Sequence, residues 1–264
     1  MMNRIDAKFN ELRKARKKAF IAFITAGDPD LQVTEDLALA FETAGVDILE
    51  IGVPFSDPMA DGPIIQAASF RALQKGVTLK KILSTVKKIR ESSQIPIALM
   101  SYYNPIFHFG IEKFILAAKE AGVDGLVIPD LPVEEAADLS RYAKGAGIAT
   151  IFFLAPTTAR ERMPAIVKAA TGFIYFVSVA GVTGAKKAVP SDIMRQIRLA
   201  RTMTKKPICV GFGVSTSEQV KAMGRISDGV IVGSAIVKEI EKNVGQKDMI
   251  GRVARFVRHL AAVL

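Results

Sequence analysis

The chain has 264 residues, half of them apolar, with 20 glycines, 12 prolines and one cysteine. That makeup is too apolar for disorder and too ordinary in glycine and proline for a fibrous chain, and a lone Cys209 excludes an internal disulfide framework and any multi-cysteine metal site. The net charge of +10 suits an anionic partner, yet the densest run, Arg13-Lys14-Ala15-Arg16-Lys17-Lys18, has no interleaved aromatics and no nucleic-acid-binding motif around it and reads as a solvated helix end.

In chain order, Ile5, Phe9 and Leu12 share one helix face, and Asp6 and Glu11 interrupt any signal-peptide core. This first segment reads as an extra helix covering a barrel floor. Strand-length apolar runs follow at 19–24, 47–52, 96–100, 125–128, 149–154, 173–177, 207–211 and 229–232. Helix-period segments lie between them, at 78–90, 111–121 and 133–144, with stops at Gly45, Gly122, Gly145 and Gly172. The gap from 52 to 96 is long enough for an enlarged loop and an additional helix at 64–74. Continuous apolar strands alternating with helices require a covered parallel sheet, and eight such units close into a (β/α)8 TIM barrel, expected as one domain over 1–264. A doubly wound open sheet is the alternative. No run approaches the ~20 apolar residues of a spanning helix, so a cytoplasmic protein is expected, with neither membrane nor nucleic acid as partner.

A short internal repeat exposes an anomaly. Ala44-Gly45-Val46-Asp47-Ile48-Leu49-Glu50-Ile51 parallels Ala121-Gly122-Val123-Asp124-Gly125-Leu126-Val127-Ile128, with Glu50 where the second copy has Val127. A carboxylate inside an apolar strand loses water, so its pKa should rise, which suits a general acid/base at a barrel strand's C-terminal end. The competing structural reading pairs Glu50 with a lysine on a covering helix. The next loop carries Asp57 and Asp61 between Pro54, Pro58 and Pro63, which stiffen it. Asp61 alone also fits an Asx turn before Gly62-Pro63.

Tyr175 lies among apolar residues of the sixth strand, where core filling with a satisfied hydroxyl is the simpler reading. Residues 178–187 form a small-residue loop, a candidate lid. Glycine turns end strand 7 (Gly211, Gly213) and strand 8 (Gly233-Ser234, opening a helix at 235–242), where barrels often hold phosphate. Thr216 stands where a dinucleotide fingerprint needs its third glycine. His108 and His259 share no ligand spacing, so no metal site is expected, and Cys209 reads as a core residue.

These motifs together resemble the tryptophan synthase alpha chain family. The matching stretches are 23–29, 50–63, 102–110, 130–135, Tyr175, 180–184, Gly211-Phe212-Gly213 and Gly233-Ser234, in order across nearly the whole chain. The resemblance implies a barrel lyase that cleaves indole-3-glycerol phosphate to indole and glyceraldehyde 3-phosphate. It implies Glu50 as acid/base, Asp61 as partner of the indole N–H and Tyr175 as orienter of the glycerol portion. Phe23, Gly184, Gly211, Gly213, Gly233 and Ser234 would surround the substrate and its phosphate.

A beta chain would take the indole within an alpha2beta2 tetramer, with Asp57, Asn104, Asp130 and Pro132 as interface candidates. Pyridoxal phosphate is expected only in that partner, and this chain is expected to use no cofactor of its own. A stand-alone lyase releasing free indole would carry the same chemistry residues. A catalytically idle phosphate-binding barrel is the reading that Glu50, Asp61 and Tyr175 argue against. Val179 in the lid and the high net charge depart from what the family leads one to expect.

Overall fold

The computed structural model describes residues 2–177, 191–211 and 213–264. Among these residues eight parallel strands pair in chain order: β1 (Ala19–Thr25), β2 (Ile48–Gly52), β3 (Ile97–Met100), β4 (Gly125–Val127), β5 (Ala149–Leu154), β6 (Ile174–Val177), β7 (Ile208–Gly211) and β8 (Gly229–Val232). β8 pairs back onto β1, so the barrel is closed and the open sheet is excluded. Each strand matches its sequence expectation to within one residue at either end.

The helices run outside the strands. They are α1 (Arg4–Ala15), α2 (Leu31–Ala44), α3 (Pro63–Gln74), α4 (Leu79–Ser92), α5 (Tyr103–Phe109), α6 (Ile111–Ala121), α7 (Ala137–Ala146), α8 (Met163–Ala169), α9 (Ser191–Met203), α10 (Ser217–Gly224), α11 (Ser234–Asn243) and α12 (Met249–Ala261). The additional helix after β2 is present as α3.

Strand alternation sorts the side chains into two populations. Ile21, Ile48, Ala98, Val127, Ile151, Tyr175, Cys209 and Ile231 fill the barrel interior. Their neighbours, among them Ala22, Leu49, Ile51, Leu99 and Val210, pack outward against the helices. Ile5, Phe9 and Leu12 of α1 join the interior cluster, so α1 closes the floor as expected. Gly125 is required for that closure: a Cβ there would lie 2.8 Å from Ile5 Cδ1 and 2.9 Å from Ile151 Cδ1. The basic run begins in the last turn of α1, and its exposed side chains Arg13, Arg16 and Lys17 lie at the floor, far from the strand C-termini.

The repeated aspartates have a common task. Asp47 accepts from the Phe20 amide at 2.9 Å and Asp124 from the Ile97 amide at 2.9 Å, each tying the start of its own strand to the preceding one. Asp228, before β8, does the same for Ile208 at 2.9 Å.

Several helix boundaries depart from expectation. Gly45 and Gly122 do stop α2 and α6 in left-handed conformations, but Gly145 lies inside α7, and the cap is Gly147 at φ +74°. Gly172 lies beyond the end of α8, whose cap is Ala170. α7 starts at Ala137 and not at 133, because the residues before it form turns in which Glu135 N donates to Pro132 O at 3.0 Å and Ala136 N to Val133 O at 3.4 Å. No described helix is long and apolar enough to cross a membrane.

Candidate active site

Glu50 is the third residue of β2, between Leu49 and Ile51, which face the helices, so its side chain points into the barrel. It is 0 % exposed, and neither carboxyl oxygen has a hydrogen-bond partner among the described residues. Burial, and then the nearby Asp61 charge, push its pKa up to about 8. The structural reading required an outward carboxylate paired with lysine. The inward side chain removes that reading and leaves a carboxyl that keeps its proton at neutral pH.

Asp61 follows on the loop between β2 and α3. It is half-buried, and burial raises its pKa while a hydrogen bond from Tyr102 opposes the rise. The same Tyr102 hydroxyl accepts from the Ala60 amide at 2.9 Å, and Gln66 of α3 donates back to Asp61 O at 2.7 Å. The loop is thus held from both sides, beyond what three prolines provide. Tyr102 had no assigned role in the sequence. Its pKa is pushed up to about 12, chiefly by burial, so it remains a hydroxyl donor.

Tyr175 faces the interior from β6, its ring 4.8 Å from that of Phe153. Burial raises its pKa well above the usual value, with the Glu50 charge the next cause and Asp61 a smaller one. Glu50, Asp61 and Tyr175 therefore feel one another electrostatically. Gly211 gains a reason the sequence did not supply: a Cβ there would meet the Tyr175 hydroxyl at 2.7 Å. Phe23 closes the site from β1. A Cβ on Gly52 would lie 2.5 Å from its ring, and one on Gly233 would lie 3.3 Å from it.

The glycine turns stand at the ends of two paired strands, β7 and β8. Gly213 is exposed with φ +73°, a conformation that glycine adopts without strain. Gly233 precedes α11 and gives it no side-chain cap; Ile236 N already donates to Gly233 O at 2.8 Å, and among the described residues the N–H groups of Ser234 and Ala235 are left open to an anion. α11 itself begins one residue earlier than expected, at Ser234. Gly184, Phe212 and the candidate lid 178–187 lie outside the described residues.

The interface candidates are not equivalent. Asp57, Asn104 and Pro132 are exposed, and Asp57 accepts from the Ser56 hydroxyl. The Asp130 carboxylate is already engaged, taking the Tyr103 amide at 2.9 and 3.1 Å to start α5. Exposed Met59 and Phe107, which the sequence reading did not single out, lie on the Asp57-bearing loop and on α5. Cys209 is buried in the core as expected, and no group of three or more His, Cys, Asp or Glu among the described residues could hold a metal.

A model of the tryptophan synthase alpha chain family matches residues 9–264. The chain belongs to that family. A tryptophan synthase alpha chain from Caldanaerobacter subterraneus subsp. tengcongensis is 48 % identical over 263 residues, covering 100 % of both chains. The crystal structure of tryptophan synthase subunit alpha from Legionella pneumophila is 37 % identical with a TM-score of 0.93, over 100 % of this chain and 98 % of that one. A chain in the tryptophan synthase complex from Pyrococcus furiosus is 38 % identical with a TM-score of 0.83, over 92 % of this chain and 98 % of that one. Tryptophan synthase alpha chains are lyases that cleave indole-3-glycerol phosphate.

Proposed function

We propose that Glu50 carries the proton transfers of this lyase reaction. Its carboxylic acid protonates indole C3, which turns the ring into an electron sink with positive charge on the ring nitrogen. The bond from C3 to the glycerol carbon then breaks, and its electron pair restores the indole. The glycerol hydroxyl loses its proton and becomes the aldehyde of glyceraldehyde 3-phosphate. The carboxylate left after the first transfer is positioned to take that proton, so protons balance with no external acid.

Asp61, steadied by Tyr102, accepts from the ring N–H and stabilises the developing cation. Tyr175 orients the glycerol portion. The amides at Gly213 and Ser234, with Gly184, hold the phosphate, whose remote binding positions the reacting bond. The single observation that carries this reading is the carboxyl of Glu50, without a hydrogen-bond partner among the described residues, 0 % exposed inside the barrel and within the field of Asp61.

The Pyrococcus furiosus relative is described within an a2b2 complex. The same partnership with a beta chain, in the cytoplasm, is proposed for this chain. Exposed Met59 and Phe107 beside Asp57 and Asn104 supply the apolar surface such a partner would cover. Indole release from indole-3-glycerol phosphate, followed with and without a beta chain, tests both parts. Indole should form, and faster when the partner is added. No indole under either condition would overturn the lyase reading. Full turnover without the partner, and no complex with it, would identify a stand-alone lyase.

A further inference from the structure

A side-chain cluster without a role in this chemistry lies at the same rim, behind the substrate mouth. Arg71, on α3, donates through Nε and Nη2 to the two oxygens of Asp28 at 2.8 Å each, and through Nη1 to Glu241 at 2.7 Å. Asp28, in the loop after β1, is 2 % exposed, whereas Glu241 on α11 is half exposed. A planar guanidinium gripping one buried carboxylate in a fork is held rigidly, and its third donor is thereby aimed.

The elements it joins matter more than the contact itself. α3 begins two residues after Asp61, and α11 begins at Ser234. Between the two helices Phe23, Ile64, Ile65, Ala68 and Val237 form an apolar cluster. One side chain therefore links the segment carrying the indole-facing carboxylate to the helix whose first turn meets the phosphate. We propose that Arg71 is a positioning residue that sets the span between these two half-sites, so that one substrate engages both ends at once. The inference rests on the site reading above.

Each half-site lies on its own strand end and does not need the bridge. Loss of the bridge should therefore weaken the whole substrate and spare its fragments. Arg71→Leu would strand buried Asp28 and risks misfolding, so the informative variants are Glu241→Gln, which removes only the link to α11, and Arg71→Lys, which keeps the charge but not the fork. For Glu241→Gln, KM for indole-3-glycerol phosphate should rise about 2–5-fold, the scale of a part-exposed ion pair, with kcat much less affected. Arg71→Lys should show the same split with a larger rise.

Inhibition by inorganic phosphate alone and by indole alone should stay at wild-type strength in both variants. Calorimetric Kd for the intact substrate keeps the span readable even if the wild type proves inactive, in which case the catalytic reading fails separately. An unchanged KM and Kd in both variants, with only Tm lowered, would overturn the proposal. So would a loss of phosphate affinity in parallel with KM, because that would place the damage within α11 itself.

Discussion

Exchanging Glu50 for glutamine should lower indole formation by roughly 10²–10⁴-fold and make the fold more stable. The first effect follows because the amide keeps the shape and cannot cycle a proton. The second follows from linkage. The carboxyl ionises near its ordinary value of 4.5 in the unfolded chain and at about 8 in the folded one. A raised folded pKa means that this group's contribution is most favourable below the unfolded value, declines as pH rises, and levels off once the folded pKa is passed. At pH 7 the wild type thus carries a burden on the order of 2–4 kcal/mol that Glu50→Gln lacks. Urea melts at pH 5, 7 and 9 should show a gap between variant and wild type that widens over the first interval and flattens near the top. A gap that is absent at every pH would mean the carboxyl is not isolated.

The second large effect lies at the opposite end of the barrel. Asp124 is 4 % exposed and accepts from Arg90 at 2.7 Å, Arg4 at 2.9 Å and the Ile97 amide at 2.9 Å. Arg90 is 10 % exposed, and burial lowers its pKa to about 10 against the opposing pull of Asp124. Asp124→Ala leaves that cation uncompensated and one strand amide unbonded, so a loss of about 3–5 kcal/mol is expected. A urea midpoint series checks it. The indole rate per folded molecule should not change, because the floor does not touch the mouth. Changing Asp124 and Arg90 together to leucine should recover part of the loss, since the buried cation then disappears with its partner.

Much of the fold was legible because parallel strands covered on both faces must read as continuous apolar runs. Glu50 was legible for the same reason, as the residue that breaks such a run. The aspartates of the internal repeat were visible as a pattern, but their shared task, catching an amide of the preceding strand, needed the register. Other features depend on contacts across long stretches of chain. Tyr102 bonds the backbone of Ala60, and Arg71 bonds Asp28, 42 and 43 residues away in sequence. No local pattern marks either pair. Gly211 looked like a phosphate turn, yet its nearest constraint is the Tyr175 hydroxyl, which depends on the register of β6 against β7. The start of α7 was misplaced because the turns after Pro132 bond their own backbone and delay the helix despite favourable side-chain spacing.

Difference infrared titration of the wild type against Glu50→Gln tests most directly whether an isolated, protonated carboxyl waits inside the barrel. The carbonyl band of a carboxylic acid, present in the wild type and absent in the variant, should persist through neutral pH and fade only near pH 8. Its disappearance by pH 5, as for an ordinary solvated glutamate, would contradict the proton-donor role on which the rest depends.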